Sequence, residues 1–211
     1  MGPQRLIDSG MGPQRLIDLE AQFAPEVEKG LGVFSPLDKS HHAPWNLGGD
    51  KMAADRNGYA DAYAELLDGL NPQVIVELGV FRGVSLAMWC ELFPEAMVVG
   101  LDLDFDRFRA NEQNLVDRGA FGINYPLLHE WDAYGDDTGF LADLPGIDLF
   151  VDDGPHREDA IRNTIRLIDP LMNLDGIYIV EDFDGADCIL GEMMPERSIR
   201  NFGRLSAAMR L

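Results

Sequence analysis

Two short acidic segments contain the residue types that acid–base and metal chemistry require. The first reads DDGPH and spans Asp152 to His156, and the second is the pair Glu181 and Asp182. Each directly follows an apolar segment, so Asp153, Glu181 and Asp182 are expected side by side if the two segments form adjacent parallel strands. Carboxylates that close repel one another unless a cation lies between them. Oxygen ligands of this kind favour Mg²⁺ or a similar hard divalent ion.

A histidine accompanies these acids. His156 follows Asp153 by three residues, where its imidazole could take a proton from the hydroxyl group of a substrate held by the metal. We expect Asp153 and His156 to form the catalytic pair. The alternative is that the acids form turns and cap helices, because Asp-Asp-Gly is favourable turn chemistry, and that His156 is an ordinary loop residue.

A glycine-containing turn marks a second candidate site. Residues 74–85 read VIVELGVFRGVS, in which Gly79, Gly83 and Ser85 follow an apolar run. Small residues let the backbone turn sharply and approach a ligand, and Ser85 could cap the helix that follows. The glycine spacing is GxxxG, whereas dinucleotide sites use GxGxxG to present N–H groups to a pyrophosphate. The turn therefore favours S-adenosyl-L-methionine over a dinucleotide.

Four acidic residues at strand ends are expected to face this cofactor. Asp102 lies in GLDLD, 25 residues after Glu77, where a carboxylate can accept both ribose hydroxyl groups. Glu77 would lie near the ammonium group of the cofactor, and Asp132, in HEWDAYGDD, near its adenine. Asp152 is assigned to the cofactor side of the first acidic segment. The alternative is an α/β domain with incidental acids at its strand ends.

Hydrophobic periodicity places these residues in alternating strands and helices. Strands are expected near Val74–Leu78, Met97–Leu101, Tyr125–His129, Asp148–Val151 and Ile177–Val180. Helical spacing is found over Tyr59–Leu70, Val84–Phe93, Asp106–Arg118 and Glu158–Met172, the last with Ile161, Ile165 and Ile168 on one face. Strands that are apolar on both faces indicate a Rossmann-like α/β fold, a parallel sheet with helices on both faces. Ligands of such sheets bind outside the carboxyl ends of the strands.

Length and composition limit the class of protein. A chain of 211 residues with 46% hydrophobic and 26% charged residues fits one globular domain. The 37 acidic against 17 basic residues give a formal net charge of −20, which makes nucleic acid and anionic membranes poor partners. Cys90 and Cys188 have no metal-ligand spacing, and no apolar run approaches a membrane span. We therefore expect a cytoplasmic protein.

The N-terminal region has a different character. MGPQRLID occurs at Met1–Asp8 and again at Met11–Asp18, and we interpret residues 1–18 as a duplication introduced by cloning or as a second translation start. Residues 19–58 are rich in Pro, Gly, His and Asp without clear periodicity, which predicts an irregular arm. The arm could be a lid, a surface tail or a contact between subunits. The α/β domain is expected over residues 59–211.

Five segments together resemble a known family. They read DKMAADRNGYADAY, VIVELGVFRGVSLAMW, GLDLD, VDDGPH and IYIVEDF, and they extend from about Asp50 to Phe183. They resemble class I S-adenosylmethionine-dependent methyltransferases, in particular the macrocin and mycinamicin sugar O-methyltransferases and the cephalosporin hydroxylase and rhamnosyl methyltransferase group. The resemblance implies that Asp153, Glu181 and Asp182 bind Mg²⁺ and that His156 is the general base.

Two features depart from the family. Pro155 precedes the histidine, where the family usually has Ser. Only 29 residues follow Asp182, and they read as a loop followed by one helix, Pro195–Leu211. The antiparallel strands that usually close a methyltransferase sheet are therefore expected to be missing or reduced. Either the chain is truncated, or the fold is a reduced version whose pocket is completed by another subunit, which would favour a homo-oligomer.

The resulting hypothesis is a Mg²⁺-assisted O-methyltransferase that uses S-adenosyl-L-methionine to methylate a hydroxyl group of a sugar or polyhydroxylated natural product. One alternative is a hydroxylase on the same fold, because relatives named as hydroxylases share these segments. Another is a non-catalytic binding subunit, which the short C-terminal part favours. The identity of the acceptor does not follow from the sequence, because loops set specificity in such folds.

Overall fold

A seven-stranded sheet forms the centre of the computed structural model, which describes residues 11–24 and 51–210. The strands are β1 (Val74–Leu78), β2 (Met97–Asp102), β3 (Leu127–Glu130), β4 (Ile147–Asp152), β5 (Met172–Val180), β6 (Ser198–Asn201) and β7 (Ser206–Met209). Their order in the sheet is β3-β2-β1-β4-β5-β7-β6. The first five strands are parallel, as the sequence predicted.

Helices cover both faces of this sheet. They are α1 (Pro13–Phe23), α2 (Ala60–Leu67), α3 (Val84–Leu92), α4 (Asp106–Asp117), α5 (Gly139–Ala142), α6 (Glu158–Ile168) and α7 (Ala186–Met193). On one face Leu16, Tyr63 and Trp89 belong to a single buried cluster. On the other, Ile161 and Ile165 of α6 pack with residues of α7. Burial on both sides explains why the five residues of β1 are all buried.

The register of the parallel strands brings their carboxyl ends to one edge. Leu78 of β1 pairs with Asp152 of β4, and Asp152 pairs with Val180 of β5. The residues that follow these strand ends, Gly79, Asp153 and Glu181, therefore leave the sheet beside one another. This edge is where the sequence placed the site.

The C-terminal part of the sheet corrects the prediction from the sequence. The expected helix Pro195–Leu211 and the expected absence of closing strands are both wrong, because β6 and β7 form an antiparallel pair and β7 also pairs with β5. Helix α7 precedes them where a loop was expected. Strand β7 reads SAAM, and alanine and methionine are strong helix formers. Tertiary pairing, which buries Ala207 and Ala208 completely, overrides that local preference.

The N-terminal arm also needs a correction. Residues 19–23 are not irregular, because they belong to α1, which starts at Pro13 within the second copy of the repeat. Leu16 and Phe23 are fully buried, so this helix is part of the core. Residues 1–10, with the first copy of the repeat, and residues 25–50 of the arm lie outside the described residues. None of the described helices is long and apolar enough to span a membrane.

Candidate active site

A cleft of about 620 Å³ opens at the carboxyl ends of β1, β2 and β4. Its wall consists of Lys51, Asn57, Leu78, Gly79, Phe81, Asp102, Leu103, Asp104, Arg107, Trp131, Asp132, Ala133, Tyr134, Asp153, Gly154, Pro155, His156 and Asp182. Six residues predicted from the sequence therefore line one cleft: Gly79, Asp102, Asp132, Asp153, His156 and Asp182. This is the position at which ligands of open α/β sheets bind.

The two glycines of the turn after β1 have different tasks. Gly79 has a positive φ of 93°, and a Cβ atom there would overlap the carbonyl oxygen of Asp153. Gly79 thus lets the β1 and β4 turns pass in contact. Gly83 starts α3 with a φ of 77°, and a Cβ atom there would overlap the ring of Phe108. It does not line the cleft.

Ser85 does not have the predicted capping role. The N-cap of α3 is Gly83, and the helix has no side-chain capping hydrogen bond. Ser85 lies within the first turn of the helix, is buried and is not part of the cleft wall. The glycine N-cap places the serine two residues too far into the helix for the role that the sequence suggested.

Asp102 holds the cofactor turn in shape from the end of β2. Its Oδ2 accepts hydrogen bonds from the backbone N–H groups of Val80 (3.0 Å) and Phe81 (3.1 Å), and its Oδ1 accepts one from Leu103 (2.8 Å). The carboxylate still lines the cleft. Asp132 lies after β3, is exposed, and accepts the N–H of Tyr134 at 2.9 Å. Both acids line the cleft, and their contacts with ribose and adenine stay predictions.

The other two acids assigned to the cofactor lie beneath the cleft. Asp152 accepts a hydrogen bond from the Tyr178 hydroxyl at 3.1 Å, and burial raises its pKa to about 6. Glu77 is fully buried and accepts bonds from Lys51 Nζ (2.7 Å) and Trp89 Nε1 (3.2 Å). Neither residue is part of the cleft wall. In these positions neither carboxylate can contact a cofactor in the cleft directly.

Lys51 is the site residue that the sequence reasoning missed. Its Nζ lies 2.7 Å from Glu77 Oε1, 3.1 Å from Asp153 Oδ2 and 3.2 Å from Glu181 Oε2. Although burial lowers the pKa of Lys51, attraction to Asp153, Glu181 and Glu77 outweighs it and raises the pKa well above its usual value. The lysine is in DKMAADRNGYADAY, but no spacing rule relates it to the three acids.

Three polar side chains converge in the open part of the cleft. Potential ligand atoms of Asp153, His156 and Asp182 all lie within 4.8 Å of one another. His156 and Asp182 have positive φ angles of 52° and 56°, a backbone conformation that is costly for residues other than glycine and that concentrates at functional sites. The sequence predicted that Asp153 and Asp182 would meet. Glu181 is turned away from this group.

Helix α2 and the loop residues directly before it orient the Glu181–Asp182 pair. Tyr63 donates a short hydrogen bond to Glu181 Oε1, and Tyr59 donates one to Asp182 Oδ1. Asn57 Nδ2 lies 3.1 and 3.2 Å from the two oxygens of Asp182. Two tyrosines four residues apart lie on the same face of a helix. Each can therefore donate a hydrogen bond to one of the two consecutive acids.

Burial shifts the pKa values of the Asp153 and Glu181 carboxyl groups. Burial raises the pKa of Asp153 to about 6, even though Lys51 lowers it. Burial also raises the pKa of Glu181 to about 8, with Lys51 opposing the shift and Asp153 adding to it. Removing carboxylates from water disfavours their charged form. The acids at this edge of the sheet therefore need a nearby cation to be ionised.

The donor set fits a hard divalent ion. Carboxylate oxygens of Asp153 and Asp182 come together in a cleft open to water, and Mg²⁺ is bound in proteins through one or two carboxylates with water in its other positions. Oε2 of Glu181 is buried and has no hydrogen-bond partner among the described residues, although it lies near Lys51. Asp153 and Asp182 are the ligands that the geometry favours, with Glu181 behind them.

A comparison with known families matches the chain over the strands that build this cleft. A family model described as a methyltransferase domain matches residues 76–183. Demethylmacrocin O-methyltransferase of Streptomyces fradiae is 26% identical over 115 residues, which are 51% of this chain and 27% of that protein. The 8-demethyl-8-alpha-L-rhamnosyl tetracenomycin-C 2'-O-methyltransferase of Streptomyces olivaceus is 30% identical over 119 residues, 51% of this chain and 28% of that protein. The chain thus spans less than a third of the length of these curated relatives.

Solved structures share the fold. MycE methyltransferase from the mycinamycin biosynthetic pathway, in complex with Mg, SAH and mycinamycin VI, superposes with a TM-score of 0.55 at 16% identity, covering 76% of this chain and 50% of that one. TrmN from Thermus thermophilus gives a TM-score of 0.55 at 16% identity, covering 71% of this chain and 47% of that one. At these identities the similarity establishes the architecture alone.

Proposed function

The chain belongs to the methyltransferase domain family, and from that premise we propose that it is a Mg²⁺-assisted O-methyltransferase that uses S-adenosyl-L-methionine. The observation that carries the proposal is the convergence of Asp153, His156 and Asp182 in a cleft that Gly79 and Asp102 also line. A cofactor turn and a group of acid–base residues then face one space, as methyl transfer between two bound molecules requires.

The cofactor would lie across the ends of β1 and β2. Gly79 lines the cleft and lets the β1 turn lie against the β4 turn, and Asp102 is the acceptor proposed for the ribose hydroxyl groups. Asp132, on the far wall, would approach the adenine. Glu77 would act on the ammonium group only at a distance, because Lys51 and Trp89 hold its carboxylate. Gly83, Ser85 and Asp152 would support the turn from beneath the cleft.

The reacting groups would lie on the Asp153 side of the cleft. Bound Mg²⁺ supplies positive charge that holds neighbouring substrate oxygens and lowers the pKa of the hydroxyl group to be methylated. Asp153 and Asp182 would hold the ion directly, and Glu181, the third ligand predicted from the sequence, would lie behind them beside Lys51. His156, part of the cleft wall, would accept the hydroxyl proton. S-adenosyl-L-methionine would supply the methyl group to the deprotonated oxygen and would leave as S-adenosylhomocysteine.

The proposed acceptor is a hydroxyl group of a sugar or polyhydroxylated natural product. The support is chemical and comparative. Neighbouring hydroxyl groups suit two adjacent positions on a divalent ion. The two curated relatives described above are named as O-methyltransferases of demethylmacrocin and of a rhamnosyl tetracenomycin. Because the chain spans less than a third of their length, the acceptor is a proposal for this domain.

We further propose a cytoplasmic enzyme that self-associates and does not bind nucleic acid. The two cysteines are both free, and the net charge of −20 repels phosphate backbones. Self-association is supported by large apolar side chains exposed at and before the edge strand β3, Ile123, Tyr125 and Leu127. Light scattering of the purified protein measures the number of chains in each particle in solution.

Product mass tests the proposed reaction. The protein is incubated with S-adenosyl-L-methionine, Mg²⁺ and a panel of rhamnosylated and macrolide acceptors, and the products are analysed by mass spectrometry. We expect replacement of one hydrogen by a methyl group, together with S-adenosylhomocysteine, and loss of both products in EDTA. A product that gains an oxygen instead would identify a hydroxylase.

A further inference from the structure

Two groups of charged side chains share Asp153 at this site. The inner cluster consists of Lys51 with Glu77, Asp153 and Glu181, and the outer group consists of Asp153, His156 and Asp182. Asp153 Oδ2 faces Lys51 at 3.1 Å, and Asp153 Oδ1 faces His156 Nε2 at 3.8 Å. One carboxylate therefore divides its two oxygens between a lysine and the proposed metal position.

The inner cluster has the composition of a cation site. Glu77 and Glu181 are at most 1% exposed, and Asp153 is mostly buried. Three carboxylates that lie close together and are shielded from water need a positive charge among them. The Lys51 ammonium lies within 3.2 Å of all three, so the protein itself provides the charge that a divalent ion would otherwise provide.

The position of Lys51 is fixed by its backbone. Glu20, buried in α1, accepts the N–H of Lys51 at 2.8 Å and the N–H of Met52 at 2.9 Å. The carbonyl oxygen of Lys51 accepts the N–H of Tyr59 at 2.9 Å, next to the residue that starts α2. These contacts hold the lysine between α1 and α2 with its side chain directed at the sheet edge. Its insertion among the acids is part of the fold.

We propose that Lys51 is a positioning residue that serves as the internal cation of the inner cluster and thereby confines the divalent ion to the outer group. The inference rests on the proposed function for the presence of an ion at the outer group. With the lysine in place, Glu181 and the inner oxygen of Asp153 are occupied. Without it, the inner cluster is a site of three uncompensated carboxylates that takes up one additional divalent ion.

Counting bound Mn²⁺ tests this inference on the full chain. EDTA-treated and desalted protein is titrated with Mn²⁺, and free Mn²⁺ is measured by electron paramagnetic resonance. We expect Lys51→Met to bind one more Mn²⁺ per chain than the wild-type protein. Lys51→Arg retains a positive charge and should bind the wild-type number. Arg15→Met is the matched control, because it removes one positive charge from an exposed position of α1.

An equal number of ions at equal affinity in folded Lys51→Met and wild-type protein would overturn the inference. If Lys51→Met does not fold, Lys51→Met with Glu77→Gln is compared with Glu77→Gln alone, and one additional ion is again expected. Failure of both variants to fold at any Mn²⁺ concentration counts against the inference, because the inner acids then accept no cation other than lysine. No ion in the wild-type protein and one in Lys51→Met would contradict the proposed metal-assisted function and support the role of Lys51.

Discussion

His156 Nε2 lies 3.8 Å from Asp153 Oδ1, across the open part of the cleft. The separation is too long for a direct hydrogen bond. In the proposed function this spacing leaves the imidazole available for a substrate proton while Asp153 faces the proposed metal position. Both side chains come from the turn after β4, and the positive φ of His156 turns the backbone at that point. The base and the proposed metal ligand are thus positioned by one short segment.

Replacing His156 by alanine should remove the general base. We expect kcat to fall by about 10²- to 10⁴-fold, while the dissociation constant of S-adenosyl-L-methionine is unchanged, because His156 is on the acceptor side of the proposed site. The control is His129→Ala, which removes a histidine that stacks on Phe140 outside the cleft wall. Steady-state kinetics and calorimetry measure the two quantities. A kcat within a few-fold of wild type would exclude His156 as the base.

Replacing Gly79 by alanine should disrupt the contact between the β1 and β4 turns. The added Cβ atom would lie 2.7 Å from the carbonyl carbon of Asp153 and closer to its oxygen, at a φ of 93°. We expect the free energy of unfolding to fall by at least about 1–3 kcal/mol and cofactor binding to be lost. Gly122→Ala, where a Cβ atom meets nothing within 4 Å, should have little effect in urea unfolding. Equal stability of the two variants would contradict the described turn.

Replacing Tyr59 by phenylalanine should loosen Asp182. The variant loses the hydrogen bond from the tyrosine hydroxyl to Oδ1 and keeps the bonds from Asn57. Mutation of residues that orient metal ligands typically lowers metal affinity by about 10- to 100-fold. We therefore expect the Mn²⁺ affinity of Tyr59→Phe to fall by at least about 10-fold. Tyr125→Phe is the control, since its hydroxyl donates to Glu112 on the exposed surface. Mn²⁺ affinities that agree between the two variants would remove Asp182 from the proposed ligand set.

The stability of the metal-free protein should fall as the pH rises. Burial raises the pKa of Asp152 to about 6 and of Glu181 to about 8, whereas unfolded carboxyl groups titrate near about 4. Between about pH 4 and 8 the folded state therefore binds more protons than the unfolded state, so the free energy of unfolding decreases with pH. This contribution is complete below about pH 4 and is lost as the pH rises through the folded pKa values.

Urea unfolding in EDTA at several pH values between 5 and about 9 measures this effect. Glu181→Gln stays neutral throughout, so its stability should decrease less steeply than that of the wild-type protein between about pH 6 and 9. The comparison separates the contribution of Glu181 from the general repulsion of an acidic protein, which both proteins share. Identical slopes would show that Glu181 does not titrate in this range.

The parallel part of the fold could be predicted because its strands are buried on both faces. Val74–Leu78 was predicted with its observed bounds, and Ile161, Ile165 and Ile168 are all buried on α6. The closing strand SAAM was not predictable in the same way. Its residues favour a helix, and only pairing with β5 decides its structure. The position of a side chain at the cleft was predictable where the residue ends or follows a parallel strand, as for Asp102 at the end of β2 and Asp153 after β4.

The orientation of individual side chains was the unpredictable part. Glu181 and Asp182 are consecutive, yet one faces Lys51 and the other lines the cleft. That difference depends on Lys51, Tyr59 and Tyr63, which come from a segment over 100 residues earlier in the chain. Nothing in local propensity or spacing connects the lysine to its three partners. Contacts across such distances are decided by packing, here by Glu20 of α1 holding the backbone of Lys51.

Calorimetric titration with S-adenosyl-L-methionine tests the central claim most directly. The wild-type protein is titrated in Mg²⁺ and in EDTA, with Asp102→Asn as the variant that weakens the proposed ribose contact. We predict binding of one cofactor per chain in both conditions, because Gly79 and Asp102 are not among the proposed metal ligands, and weaker binding by Asp102→Asn. Absence of binding by the wild-type protein in both conditions would contradict the account.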